Sequence, residues 1–127
     1  MGAGIAVGLG ERFPEMVAEY RRRCRVVPRE LNPGDVFLWK DDSQPWVFNL
    51  ATQEDYWRSR ATYEAVERTL VAMRTLADAE GITSIAMPRV GAGYGGPLWK
   101  KLRPIVESVF ADWSSVLYVY DDYVPAC

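Results

Sequence analysis

The sequence predicts an α/β fold, and three observations carry that reading. Apolar residues recur at helical spacing in three separate stretches. Short β-branched and aromatic runs lie between them, and the second half of the chain alternates strand, helix, strand, helix, strand. At 127 residues the chain has the length of one domain, residues 1–127, and is too short for two that each bury a core.

The first helical stripe is Leu9, Phe13, Met16, Tyr20 and Cys24. Gly8, Gly10 and Pro14 interrupt it, which predicts a short helix near residues 4–12 and a second one with Pro14 in its first turn. Asn32-Pro33-Gly34 is turn chemistry. Asp35 to Lys40 then reads as a strand, residues 41–45 as a hairpin loop and Trp46 to Ala51 as the antiparallel return. Residues 52–60 read as an irregular loop with two aromatics, Tyr56 and Trp57.

Tyr63, Val66, Leu70, Met73 and Ala77 predict a helix from Thr62 to Glu80, stopped by Gly81. Ile82 to Met87 follows as a strand. Pro97 or Leu98 opens a helix with Leu98, Leu102, Ile105 and Val109 on one face, and Pro104 should kink or restart it. Ser115 to Tyr120 is the last strand, with a tail from Asp121. Strands joined through helices imply parallel pairing with right-handed crossovers.

Composition narrows the chemistry. The chain is 49% hydrophobic and 25% charged, an ordinary globular balance, and its apolar runs fall far short of the ~20 residues of a membrane span. No signal peptide is legible, and two cysteines without CxxC spacing, Cys24 and Cys127, suit free thiols in a reducing cytoplasm. They suggest neither a zinc site nor a disulfide framework. Histidine is absent, which removes Ser-His and Cys-His nucleophile pairs and HExxH metal sites. The net charge of −2 gives no general pull towards nucleic acid. Against it stands one basic cluster, Arg21-Arg22-Arg23 with Arg25. It reads as the solvated end of a helix, with a phosphate-backbone contact as the alternative.

The run Met87-Pro88-Arg89-Val90-Gly91-Ala92-Gly93-Tyr94-Gly95-Gly96 leads from a strand into a helix. Glycines let a backbone approach a ligand closely. A following helix N-terminus offers unpaired N–H groups and a positive dipole, so the run reads as an anion cradle. It lacks the Gly-Lys-Ser/Thr of a P-loop. It spells GxGxxG, but in the third strand–helix unit and with no acid placed for a ribose before Asp121. Gly2-Ala3-Gly4-Ile5-Ala6-Val7 is a second small-residue run opening a helix, and two such turns can clamp a diphosphate from both sides.

These two runs, with Asn49-Leu50-Ala51-Thr52 between them, resemble the macrodomain family. Met1 to Val7 and Met87-Pro88-Arg89 are similar to the terminal ADP-ribose protein glycohydrolase branch. Gly91 to Gly96 with Trp99, and Thr52 followed by Trp57-Arg58, are similar to the DNA ADP-ribosyl glycohydrolase antitoxin branch. The resemblance implies a three-layer α/β/α fold, a mixed sheet flanked by helices, here lacking the usual first strand. It implies ADP-ribose in a cleft at the strand ends, lined by Gly2, Ala3, Gly4, Ile5, Thr52, Gln53, Pro88, Val90, Gly91, Ala92, Gly93 and Tyr94. Tyr94 would lie over the distal ribose. No metal and no cofactor is implied.

Two departures bear on activity. In both branches a lysine follows the threonine that matches Thr52, and here that position is Gln53. An amide is neither basic nor nucleophilic, so the covalent lysyl route is closed. One branch also carries an aspartate where this chain has Gly95. Glu54, Asp55, Arg58 and Arg60 are candidate replacements, with solvated loop charges as the plainer reading. Catalytic residues are therefore not assigned. The family's upstream strand is also absent from this sequence; either the recorded start is internal, or a chain truly lacking that strand should have an exposed sheet edge.

Three functions follow as expectations: a module binding ADP-ribose, free or attached to protein or nucleic acid; a hydrolase removing ADP-ribose without the family lysine; and a degenerate structural or interaction domain. The implied partners are ADP-ribose or ADP-ribosylated protein or nucleic acid, no membrane, a toxin–antitoxin ADP-ribosyltransferase counterpart, and a homodimer covering the exposed edge.

Overall fold

In the computed structural model the described residues are 10–43, 45–51, 62–88 and 96–120. Packing divides the chain into two units, Met1–Met73 and Arg74–Cys127.

In the first unit residues 10–12 are helical and Phe13 breaks the run, with φ −126° and ψ 67°. Helix α1, Pro14–Arg25, then starts on proline, whose fixed φ suits a first turn and whose missing N–H would have no partner there. The expected stripe faces inward. Phe13 and Met16 are buried in one cluster with Leu31, Phe37 and Ala51, and Tyr20 and Cys24 pack against it. Strands β1, Val36–Trp39, and β2, Val47–Leu50, pair antiparallel in the register Phe37↔Asn49, each one residue shorter than expected at either end. Gly34 takes φ +99° in the turn before β1, a conformation that side chains with a Cβ rarely adopt. Its N–H donates to Ala51 O at 2.7 Å while Ala51 N–H donates to Asp35 O at 3.0 Å, so the pairing continues past β2 to the last residue before Thr52.

Helix α2, Thr62–Ala79, follows the expected periodicity, with Val66, Leu70, Met73 and Ala77 buried. It ends as its glycine requires. Gly81 has φ +71°, Ile82 N–H donates to Ala77 O at 2.8 Å and Gly81 N–H to Asp78 O at 3.3 Å, the paired bonds of a Schellman motif. That closure corrects one expected boundary. Ile82 spends its N–H on the helix, so strand β3 begins later and spans Ser84–Pro88.

In the second unit β3 pairs in parallel with β4, Val116–Tyr120, from Ser84↔Val116 to Pro88↔Tyr120. Helix α3, Gly96–Phe110, connects them. It passes through Pro104 without restarting, and its buried row is Leu102 and Val106, with Ile105 and Val109 only half-buried. Trp113, outside every expected stripe, is buried, and its Nε1–H donates to Asp78 Oδ1 at 2.9 Å. Arg74 donates to Val109 O and to Asp112 Oδ1, both at 2.6 Å. Among the described residues the strands form two two-stranded sheets, antiparallel in the first unit and parallel in the second, where one mixed sheet was expected. Among the described residues no helix is long and apolar enough to cross a membrane.

Candidate functional site

Of the residues expected to line a ligand, Pro88 alone is described. It is the exposed last residue of β3. Gly2, Ala3, Gly4, Ile5, Thr52, Gln53, Val90, Gly91, Ala92, Gly93 and Tyr94 lie outside the described residues, as do Gly95, Glu54, Asp55, Arg58 and Arg60. The flanking structure fixes where these segments start and finish.

Parallel register sets Pro88 level with Tyr120, so β3 and β4 end at one edge. In sequence, residues 89–95 link that edge to the fifteen-residue helix α3 and lie outside the described residues. Ligands of open α/β sheets sit beyond the carboxyl ends of the strands, and the carboxyl end of β3 is the one the chain leaves for the glycine run and α3. The helix that receives it has no acidic residue in its first turn, whereas α1 has Glu15 there and α2 has Glu64. Its positive dipole end is therefore left without a carboxylate of its own, an arrangement that suits an exogenous anion.

In the first unit Ala51, the last described residue before Thr52, is 2% exposed and held by both of its backbone bonds to the 34–35 turn. Two residues earlier Asn49 is 4% exposed in an otherwise apolar strand. Its Nδ2 donates to Phe37 O at 3.2 Å and to Val47 O at 3.4 Å, which fixes the amide orientation and leaves the buried Oδ1 without a partner among the described residues. A polar residue inside the run Val47-Phe48-Asn49-Leu50 is the signal that marks it. In the sequence Asn49 enters only as part of the motif Asn49-Leu50-Ala51-Thr52.

A groove of about 530 Å³ lies elsewhere in the same unit, lined by Glu15, Ala18, Glu19, Arg22, Arg23, Phe37 and Trp39. None of the expected ligand residues lines it, and its central charges are paired. Glu19 accepts from Arg22 at 2.8 Å and from Arg23 at 2.9 Å, and those hydrogen bonds hold its carboxyl at about 2. The Arg23 guanidinium also stacks 4.1 Å over the Phe37 ring. Among the described residues no cluster of His, Cys, Asp or Glu is placed to hold a metal ion, and Cys24 is a free thiol.

Comparison with known proteins agrees with the sequence motifs. The family model described as Macro domain matches residues 1–106. The human protein named ADP-ribose glycohydrolase OARD1 is 28% identical over 120 residues, covering 94% of this chain and 73% of that one. A Mycobacterium tuberculosis protein named DNA ADP-ribosyl glycohydrolase is 27% identical over 124 residues, covering 93% of this chain. The match spans about a third of that relative, 34% of its length. Among solved structures, the macrodomain of Thermus aquaticus DarG superposes with a TM-score of 0.79 at 25% identity, over 96% of this chain and 82% of that one. With the matched model taking in both glycine runs and the segment after β2, the chain belongs to the macrodomain family.

Proposed function

We propose that this macrodomain binds ADP-ribose, free or carried on protein or nucleic acid, in a cleft at the carboxyl ends of its strands. The observation that carries the reading is the family match over residues 1–106, which includes Gly2–Ile5, Thr52 and Gly91–Tyr94 together. In this reading the backbone amides of Gly2–Ile5 and Gly91–Gly93 hold the diphosphate. The free dipole end of α3 adds attraction for it. Tyr94 covers the distal ribose, and Pro88, Val90, Ala92, Thr52 and Gln53 complete the wall. In this reading the domain acts in the cytoplasm.

The names of both relatives favour a second reading, hydrolysis of the ADP-ribosyl link. Water would add at C1″ of the distal ribose as the bond to the acceptor breaks. With Gln53 in place of lysine, the water's proton must pass to a loop carboxylate, for which Glu54 and Asp55 are the candidates. Through the antitoxin branch, the counterpart of such an activity is an ADP-ribosyltransferase.

Calorimetric titration with ADP-ribose tests the first reading. Binding in the micromolar range is expected, and affinity weaker than about 1 mM, roughly −4 kcal/mol, overturns both readings. Release of ADP-ribose from mono-ADP-ribosylated substrate by the wild-type chain, accelerated by Gln53→Lys, supports the enzyme. Binding with no release by either form leaves a binding module.

A further inference from the structure

Of the four described strands, β4 is the least protected. Its residues, Val116-Leu117-Tyr118-Val119-Tyr120, are all apolar or aromatic, and none is charged. Val116, Tyr118 and Tyr120 lie on one face of the strand, where they are 46%, 55% and 59% exposed. The residues level with them on β3, Ser84, Ala86 and Pro88, are exposed as well. One face of this parallel pair is therefore open and uncharged, although parallel sheets are ordinarily covered on both faces.

The strand also has a free edge, since among the described residues β4 pairs with β3 alone. Val116 N–H donates to Thr83 O at 3.0 Å, so the backbone groups of Val116, Tyr118 and Tyr120 are turned towards β3. The N–H and C=O of Leu117 and of Val119 are turned the other way, towards the free edge. They are ready to bond a further strand. Edges of natural sheets are usually blunted by a charge, a proline or a bulge, and β4 has none of these.

We infer that β4 pairs with β4 of a second copy of this chain, antiparallel about a twofold axis at Tyr118. Among antiparallel registers, this one alone overlaps all five residues of both strands. It sets Leu117 opposite Val119 of the second copy, and the two such pairs form four N–H···O bonds that use every outward backbone group. Tyr118 meets its own counterpart in the closer, non-hydrogen-bonded pair, and Val116 meets Tyr120. These are the aromatic–aromatic and aromatic–β-branched contacts that stabilise sheets. A second copy suits this surface better than a charged partner, because neither β3 nor β4 offers a charge to complement. It also supplies what the pair lacks. Two strands alone are marginal, and joining two pairs edge to edge makes one sheet of four. The contact is isologous, so it closes at two copies.

Sedimentation of the full chain tests this. A dimer is expected at about 100 μM, dissociating as the chain is diluted towards about 1 μM. Tyr118→Lys sets two ammonium groups against each other at the axis and should weaken the dimer about a hundredfold or more. Tyr118 is more than half exposed, so this variant should keep the helical circular dichroism of the wild type. Lys100→Gln/Lys101→Gln, on α3, should leave the dimer as it was. Cross-linking reads the register, in a chain carrying Cys24→Ala and Cys127→Ser. Tyr118→Cys places the new thiol opposite itself and should oxidise to a linked dimer. Val116→Cys should not, because it stands opposite Tyr120. If Tyr118→Lys fails to fold, the comparison of the two cysteine variants still decides. A wild-type chain that stays monomeric at about 100 μM, a folded Tyr118→Lys that dimerises like the wild type, or equal cross-linking at 116 and 118 overturns the proposal. Oligomers that keep growing with concentration also overturn it, in favour of open-ended pairing.

Discussion

Glu19 shows how a single side chain links charge to stability here. Hydrogen bonds from Arg22 and then Arg23 lower its carboxyl from 4.5 to about 2. In the unfolded chain the group titrates near its ordinary value, so the folded protein prefers the deprotonated form. The stabilisation is complete above about pH 4.5 and is lost as the pH falls towards 2. Glu19→Gln should therefore flatten the loss of stability across that window while changing little below it. Urea midpoints measured against pH check this. Added salt should shrink the difference between the two proteins, because the groups are solvent-facing and screened. An identical acid limb in both proteins would show that the pairs contribute nothing to folding.

At the scale of elements, α3 carries a visible local cost. Pro104 is exposed at the ninth position of the helix, where it has no N–H to give to Lys100 O and its ring crowds that carbonyl. The sequence reading expected a kink or a restart. The helix runs through it without a restart, because Leu102 and Val106 on either side are both buried and hold the two halves to one inward row. Tertiary burial outweighs a local preference that amounts to about 3 kcal/mol in an isolated helix interior. Pro104→Ala should thus stabilise the protein, by about 2 kcal/mol once the roughly 1 kcal/mol of unfolded-state restriction lost with proline is deducted. Thermal melting reads this as a rise of several degrees. No rise would mean that the backbone has bent enough around Pro104 to remove the strain.

At the scale of the whole molecule, patterns that repeat were legible and junctions were not. The α1 stripe through Phe13 and Met16, the α2 row from Val66 to Ala77 and the antiparallel β1–β2 pair all follow from periodicity and turn chemistry. The start of β3 was misplaced because Ile82 looks like a strand residue while its amide closes α2, a role set by the φ of Gly81. Trp113 escaped notice because its burial depends on Asp78, 35 residues away. The candidate site was legible as motifs, and of its lining residues only Pro88 meets described structure.

Those motifs make one claim about the folded state as a unit. A ligand that binds the native chain and not the unfolded one stabilises it by about 2.7 kcal/mol at a hundred times its dissociation constant. For a domain of this size, at roughly 4 °C per kcal/mol, ADP-ribose at that excess should raise the melting temperature by about 10 °C. Gly93→Val places a branched side chain where close backbone approach is proposed. It should abolish the shift while the ligand-free melting temperature moves far less. Equal shifts in both proteins would remove the glycine run from the binding site. No shift in either, at concentrations well above millimolar, would leave a macrodomain fold whose ligand cleft has lost its ligand.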